Sequence, residues 1–305
     1  ADVPRPLEDS SRLAHRPFAS RTRSLAADAS RFVPGDALAT AINTAVCLGE
    51  PLLLTGEPGT GKTQTAYYAA WKLNLGEVLH FQVKSDSTAK DLLYHFDTVR
   101  YFQDAHLGRI GKELIEETEQ AQEARKRYRE KRALWQAFEQ AQRDGRPRVL
   151  LIDEIDKAPR DFPNDLLHEL DQMEFRVLET GECVRVSSDL RPIVFITSNS
   201  ERRLPEPFLR RCVYHHIEFD SALLQRILLS HRDDFAGLSD GFIELAVERF
   251  LSLRSRGLYK APSTGELLVW LRVLAAAGNV SEAALRDADP SKIPYLGVLL
   301  KNRQD

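Results

Sequence analysis

Residues 56–63 combine residue types and spacing that suit the binding of a phosphate chain. They read Gly-Glu-Pro-Gly-Thr-Gly-Lys-Thr, a complete match to G-x-x-x-x-G-K-[ST], and they follow an apolar run at 52–54. Glycines let such a loop curl until its N–H groups face phosphate oxygens. A plain glycine turn before a helix would not explain the Lys-Thr pair. The residues predicted to contact a nucleoside triphosphate are Gly56, Glu57, Pro58, Gly59, Thr60, Gly61, Lys62, Thr63 and Gln64.

Two carboxylates end a second apolar run. Residues 148–152 read Arg-Val-Leu-Leu-Ile, and Asp153 and Glu154 follow them directly. Because successive strand residues point to opposite faces, the two acids would have different roles. We predict that Asp153 holds Mg2+ together with the Thr63 hydroxyl, and that Glu154 polarises a water near the γ-phosphate of the nucleotide. This pair favours hydrolysis over passive binding of the nucleotide.

Polar residues that follow two later segments complete the candidate site. Asn199 comes after the apolar run 193–197, and ligand groups gather at the carboxyl ends of parallel strands. We predict that Asn199 bonds the γ-phosphate or orients water, with a turn asparagine as the alternative. Arg210 and Arg211 end the segment 204–211. Because a guanidinium fork matches phosphate oxygens, one of them could reach a neighbouring subunit's nucleotide; a surface feature or an inward salt bridge is the alternative.

The elements that must position these residues alternate along most of the chain. Predicted strands lie at 51–55, 78–83, 148–153, 193–197 and 213–219, and predicted helices include 34–48 and 63–73. This alternation indicates an α/β fold whose parallel sheet is covered on both faces. After Ser221 the strand signals stop. Four helices are predicted there, at 223–230, 242–253, 264–277 and 281–288.

Three regions follow from this pattern. We expect an arginine-rich N-terminal arm at 1–31 that packs on a neighbouring surface or stays mobile, an α/β domain at 32–220, and a small all-helical domain at 221–305. The stretch 105–146 has larger apolar residues at a spacing near seven, which predicts a long helix or helical hairpin with one apolar seam. This insert could pack on its own domain or dock a partner.

Bulk properties exclude several classes of protein. The 305 residues carry a net charge of −3, which gives the chain as a whole no bias toward nucleic acid. Three widely spaced cysteines argue against a disulfide framework or a zinc site. No apolar stretch approaches the ~18 residues of a membrane span, and no signal-peptide pattern opens the chain. We therefore expect a cytoplasmic location.

Taken together, the motifs resemble those of the AAA+ ATPases, and within them the MoxR-type group. The markers are GEPGTGKT at 56–63, VLLIDEIDKA at 149–158, ITSN at 196–199 and LPEPFLRR at 204–211, with a segment at 174–181 that looks like the group's inserted β-hairpin. The resemblance implies a RecA-like P-loop fold followed by a helical lid. It also implies Lys62 and Thr63 as Walker A, Asp153 and Glu154 as Walker B, Asn199 as sensor 1, and Arg211, with Arg210 second, as arginine finger.

The resemblance also sets expectations about function and about one departure. MoxR-like proteins suggest an ATP-hydrolysing hexameric ring that remodels or activates a protein substrate, often with a von Willebrand A-type partner. The alternatives are an ATP-dependent regulatory switch in a multi-gene signalling or defence system, and a DNA-directed translocase or loader, which the near-neutral charge disfavours. Glu266 stands about where many AAA+ proteins have a sensor 2 arginine, so coupling to the lid would require Arg272 or a neighbour. Tyr94 and Phe96 could be pore-facing tips or core residues.

Overall fold

The computed structural model describes residues 25–107, 119–277, 280–286 and 292–301. Two compact units can be distinguished. We call residues 36–56 and 65–216 the sheet unit, and residues 25–35, 57–64 and 217–301 the helical unit. None of the helices in the described ranges is long and apolar enough to cross a membrane.

The sheet unit is built on the five predicted strands, all of which are confirmed. They are β1 (Leu52–Gly56), β2 (Leu79–Gln82), β5 (Val149–Asp153), β8 (Ile193–Thr197) and β9 (Val213–Ile217), in the order β2-β5-β8-β1-β9. The pairs β2–β5, β5–β8 and β8–β1 are parallel. Every residue of β1 and β5 is buried, which explains why both sequences are continuous apolar runs rather than alternating ones.

Helices and one large apolar core accompany the sheet. The longer helices of this part are α1 (Asp36–Leu48), α2 (Lys62–Lys72), α6 (Ala133–Asp144) and α7 (Phe162–Gln172); α3 (Lys90–Leu93) and α8 (Glu206–Leu209) are single turns. The core joins strand residues such as Leu150 and Ile196 to Phe138 of α6 and Leu166 of α7. A parallel sheet flanked by helices is the predicted α/β arrangement.

Two antiparallel strand pairs extend the sheet unit. β6 (Glu174–Arg176) pairs with β7 (Cys183–Arg185), which confirms the hairpin expected at 174–181. β3 (Tyr94–Phe96) pairs with β4 (Arg129–Lys131). Tyr94 and Phe96 are 2% and 9% exposed and belong to the core, so of the two roles considered from sequence the structure shows the core role.

The prediction of one long helix or helical hairpin over 105–146 was also wrong. The described parts of this stretch contain the end of α4 (Thr98–His106), α5 (Glu119–Arg125), a 3-10 turn at Lys126–Tyr128, then β4 and α6. The apolar residues of the supposed seam serve different contacts: the Tyr128 ring meets Tyr101 at 5.4 Å, whereas Trp135 meets Phe175 at 5.5 Å. The strand β4 between these two residues interrupts any continuous helix. Residues 108–118, with Ile110 and Leu114, lie outside the described part.

The helical unit contains the four helices predicted after residue 220. They are α9 (Ser221–Ser230), α10 (Asp240–Arg254), α11 (Thr264–Ala277) and α12 (Glu282–Arg286), followed by a 3-10 turn at Leu296–Val298. The predicted ends at 287 and 288 lie outside the described residues. The Asp220 and Ser239 side chains cap α9 and α10 by accepting backbone N–H bonds. The core of this unit surrounds Trp270 and Phe250, which are fully buried.

The N-terminal segment is described from residue 25 onward and is part of the helical unit. After a 3-10 turn at Ala29–Arg31, the Arg31 guanidinium donates to Ser230 O at 3.0 Å and contacts both oxygens of Asp234, at 3.2 and 3.0 Å. This part of the expected arm therefore packs on α9 and the residues after it. The rest of the predicted arm, residues 1–24, lies outside the described ranges.

Candidate nucleotide site

The phosphate-loop sequence forms a tight turn between a strand and a helix. β1 ends at Gly56, and α2 begins at Lys62. Gly59 and Gly61 have φ angles of 80° and 95°, a left-handed region that side chains rarely adopt. A Cβ at Gly59 would lie 2.8 Å from Ser263 Cβ, and one at Gly61 would lie 2.8 Å from the Phe32 ring. Glycine is thus required at both positions by conformation and by space.

Side chains of this loop are held by backbone carbonyl groups of Glu57 and Leu25. Lys62 is only 7% exposed, and its Nζ donates to Glu57 O at 3.0 Å. The same carbonyl accepts the Thr60 hydroxyl at 2.8 Å, while the Gln64 amide donates to Leu25 O at 2.8 Å. Lys62 and Thr63 open an eleven-residue helix, whose N-terminal N–H groups favour an anion. A curled glycine backbone, a helix start and a buried lysine fit a bound phosphate group.

The acidic strand end lies at the edge of the sheet from which the loop departs. Because β1, β8 and β5 are adjacent and parallel, Gly56, Thr197 and Asp153 end at the same edge. Asp153 is 7% exposed; its Oδ1 accepts the Thr197 hydroxyl at 2.5 Å, and its Oδ2 lies 3.4 Å from His80 Nε2. Burial, and then the Asp153 charge, raise the pKa of Tyr67. The Asp153 carboxylate is thus held in place by Thr197 and lies beside His80.

Glu154 combines an unusual backbone conformation with a side chain that has several polar partners. Its φ is 61°, and a left-handed non-glycine residue is strained unless its surroundings fix it. Its Oε2 accepts the Gln82 amide and the Lys157 ammonium, each at 2.6 Å. The hydrogen bond from Lys157 to Glu154 is the main cause that raises the pKa of Lys157. The side chain of Glu154 remains 30% exposed, so the carboxylate is restrained but accessible.

Asn199 lies beside the same carboxylate. Its Nδ2 is 3.4 Å from Glu154 Oε1, and its backbone N–H donates to Asp156 at 3.1 Å. Asp156 is 2% exposed and also accepts the Glu201 N–H at 2.9 Å. The loops after β5 and β8 are thereby joined, and Asp153, Glu154 and Asn199 are brought together as the motifs predicted.

The two candidate finger arginines lie elsewhere in the sheet unit. Arg211 pairs with Asp171 at 2.8 Å, and Arg210 pairs with Glu206 at 2.7 Å. Their side chains are 54% and 76% exposed. Within the described ranges, neither guanidinium forms a hydrogen bond or ion pair with Glu154. The structure therefore does not assemble these arginines with the acidic strand end of their own chain.

The sequence did not point to Gln82, Lys157 or Thr197 as members of the site. Gln82 ends β2 and is in register with Asp153 on the adjacent strand β5. A polar residue at the end of a strand can be recognised in the sequence. Its place beside Asp153 could be known only once β2 and β5 were shown to be adjacent. Lys157 lies three residues after Glu154, within reach across one turn of chain.

The position expected for a sensor arginine has a structural role. The Glu266 carboxylate accepts the Ser263 N–H at 2.7 Å, and the Glu266 N–H donates to Ser263 Oγ at 3.3 Å. This reciprocal pair is a capping box at the start of α11. Arg272, the substitute considered from sequence, pairs with Asp234 at 2.5 Å. Both residues thus have partners inside the helical unit.

The glycine loop, the parallel sheet and the acidic strand end define a P-loop nucleotide-binding protein. The chain belongs to the AAA domain family, dynein-related subfamily, whose model matches residues 51–212. It is therefore an AAA+ ATPase in the general sense of that family. None of the curated proteins matches it.

Solved structures with similar folds include a candidate ATPase from Cytophaga hutchinsonii ATCC 33406. That protein is 14% identical with a TM-score of 0.41, and the match covers 89% of this chain and 83% of the other. NtrX from Brucella abortus, in complex with ADP, is 15% identical with a TM-score of 0.39, covering 96% of this chain and 60% of NtrX. NtrX with ATP is 16% identical with a TM-score of 0.40 and the same coverage. Likenesses with TM-scores this low do not bear on function.

Proposed function

We propose that this chain is a MoxR-type AAA+ ATPase that couples ATP hydrolysis to the remodelling or activation of a partner protein. The observation that carries the proposal is Glu154 at the end of β5, with the Asn199 amide 3.4 Å from its carboxylate. These groups lie at the sheet edge where β1 leads into the phosphate loop. A carboxylate and an amide there suit the activation of water better than simple storage of a nucleotide.

Magnesium fits the available ligands. Mg2+ prefers oxygen and is usually held by one or two protein groups, with substrate phosphates and waters completing its shell. Asp153 and the Thr63 hydroxyl would supply such oxygens. When bound, the ion neutralises charge on the phosphates. Lys62 would bind the β- and γ-phosphates, Glu154 would accept a proton from water, and Asn199 would orient that water.

The assembly is proposed to be a hexameric ring with shared active sites. Arg211, or Arg210 in its place, would act on the nucleotide of a neighbouring subunit; both side chains are largely exposed, at 54% and 76%. A guanidinium in that position can raise the rate by roughly 10³–10⁵. The helical domain at 221–305 would serve as the lid on the α/β domain at 32–220. The ring would remodel or activate a protein substrate or a von Willebrand A-type partner.

The direct test is Glu154→Gln, which keeps the size of the side chain and removes its charge. Because general bases contribute about 10²–10⁴-fold, phosphate release should fall by at least about a hundredfold. Binding of ATP, measured by calorimetry with Mg2+, should be retained, and the oligomer formed with ATP should persist longer in size-exclusion chromatography. Glu248→Gln on α10 is a matched control. Hydrolysis at the parental rate in Glu154→Gln would show that another group is the base.

A regulatory switch with low basal turnover is the second candidate. It is favoured by the restraint on Glu154, whose carboxylate accepts both Gln82 and Lys157 at 2.6 Å. An enzyme whose base is held in this way would turn over slowly until assembly or a partner frees it. A steep rise in specific activity with protein concentration alone would favour the switch. A constant specific activity that rises only with substrate protein would favour the remodeller.

A further inference from the structure

An arginine of α10 contacts the phosphate loop from within the helical unit. Arg254, the last residue of α10, pairs with the Glu57 carboxylate at 3.2 Å and also donates to Pro262 O. Its guanidinium lies 3.9 Å from the centre of the Phe219 ring, and its side chain is 13% exposed. A guanidinium that is stacked, largely buried and shared by two acceptors is fixed in place.

Glu57 is the residue through which this contact reaches the loop. Its carbonyl oxygen organises the loop by accepting Lys62 Nζ at 3.0 Å and the Thr60 hydroxyl at 2.8 Å. Its carboxylate, by contrast, is a negative charge on a loop built to receive phosphates. Like charges repel, so an unpaired carboxylate at this position would weaken the binding of ATP. Arg254 neutralises it.

The other acceptor of Arg254 leads to the start of α11. Pro262 precedes Ser263, whose side chain occupies the space that a Cβ on Gly59 would need. A Cβ built on Gly265 would lie 3.6 Å from Gly59 O, so the first turn of α11 packs directly on the loop. Arg254 therefore contacts both the loop and the segment that packs against it. If the start of α11 moved, Arg254 would move with it, and its ion pair with Glu57 on the loop would change.

We propose that Arg254 is a positioning residue that neutralises Glu57 and links the phosphate loop to the start of α11. It would provide the coupling that Glu266 cannot, since Glu266 caps α11 and Arg272 pairs with Asp234. Nucleotide binding would then change the position of α11 through this pair, without direct contact between Arg254 and the γ-phosphate. The inference rests on the proposed binding of ATP by the loop.

The experiment compares ATP binding by the full chain, Arg254→Ala, Glu57→Gln and the double variant, using calorimetry with Mg-ATP. We expect Arg254→Ala to raise the Kd for ATP about tenfold, a loss equivalent to about 1.4 kcal/mol. In the double variant, Glu57→Gln also removes the carboxylate charge that Arg254→Ala leaves unpaired. The Kd should then return to within about threefold of the parent, because Arg254 and Glu57 interact. Arg256→Ala, an exposed arginine two residues away, is the matched control and should bind ATP as the parent does.

Hydrogen exchange of residues 261–268 supplies a second readout. ATP should protect this segment in the parent, and Glu57→Gln, which alters a 55% exposed side chain, should lose most of that protection while still binding ATP. This arm tests the proposal even where Arg254→Ala fails to fold. An unchanged Kd in Arg254→Ala, no rescue in the double variant, or full protection in Glu57→Gln would overturn the link. Failure of the parent to bind ATP would instead overturn the proposed function.

Discussion

Gln82→Ala offers a quantitative test of how Glu154 is restrained. Gln82 donates one hydrogen bond of 2.6 Å to Glu154 Oε2, and an activated Glu154 must exchange that bond for one to water. Hydrogen bonds to charged groups contribute about 1.5–3 kcal/mol. Since the Glu154 side chain is 30% exposed, solvent screening reduces this to about 1 kcal/mol.

A restraint of that size has a measurable kinetic effect. If release of Glu154 precedes hydrolysis, Gln82→Ala should raise kcat about fivefold, because about 1.4 kcal/mol corresponds to a factor of ten. KM for ATP should change less than about twofold, since Gln82 is assigned no contact with the nucleotide. Lys157→Ala should give a smaller rise of about twofold, because its ion pair with Glu154 is more exposed, at 43% for the lysine.

The assay is steady-state phosphate release at saturating Mg-ATP, with all variants at one protein concentration so that assembly does not differ. Gln142→Ala is a matched control, since Gln142 is a surface glutamine of the same unit that donates to Arg185 O. A fall in kcat for Gln82→Ala would mean that Gln82 orients Glu154 for catalysis. An unchanged kcat would mean that the restraint does not precede the slow step. Either result would refute the reasoning.

Two further predictions concern the shared site and the helical unit. Arg211→Ala should abolish hydrolysis without weakening ATP binding, and mixing it with Lys62→Ala should restore part of the activity; no rescue at any mixing ratio would contradict a finger that acts between subunits. Burial lowers the pKa of His231 despite its contact with Asp234, so the unfolded chain binds the extra proton first. The free energy of unfolding should therefore fall as pH drops below about 6.5, by at most about 1.4 kcal/mol per pH unit, and His231→Gln should reduce that slope in urea unfolding.

The sequence predicted most of the α/β architecture because its strands have a strong pattern. β1 and β5 begin with runs of three and four apolar residues and end in glycine or carboxylate, and central parallel strands are typically rich in such residues. The antiparallel pairing of β3 with β4 was not predicted, since Arg129-Glu130-Lys131 has little intrinsic preference for a strand. That strand is stabilised by tertiary contacts, such as the Arg129 guanidinium 4.5 Å from the centre of the Trp135 ring.

In the candidate site, the motif residues could be predicted from the sequence, whereas the residues that contact them could not. Motif spacing identified Asp153, Glu154 and Asn199, because chain order determines which residues end the strands. The partners of Glu154 could not be derived in the same way, since Gln82 reaches it only through the adjacency of β2 and β5. Arg254 was missed for a related reason: its contact with Glu57 spans 197 positions of sequence.

The buried carboxylate of Asp156 has a mechanical consequence. Both of its oxygens bond the N–H of Asn199, and one also bonds that of Glu201, so the loops after β5 and β8 are fastened at a point that water hardly reaches. These bonds involve the backbone N–H groups of Asn199 and Glu201 and do not use the Asn199 side chain. A displacement of one loop would therefore displace the other through these hydrogen bonds. Binding or release of a phosphate at the end of β5 would therefore also move the loop after β8.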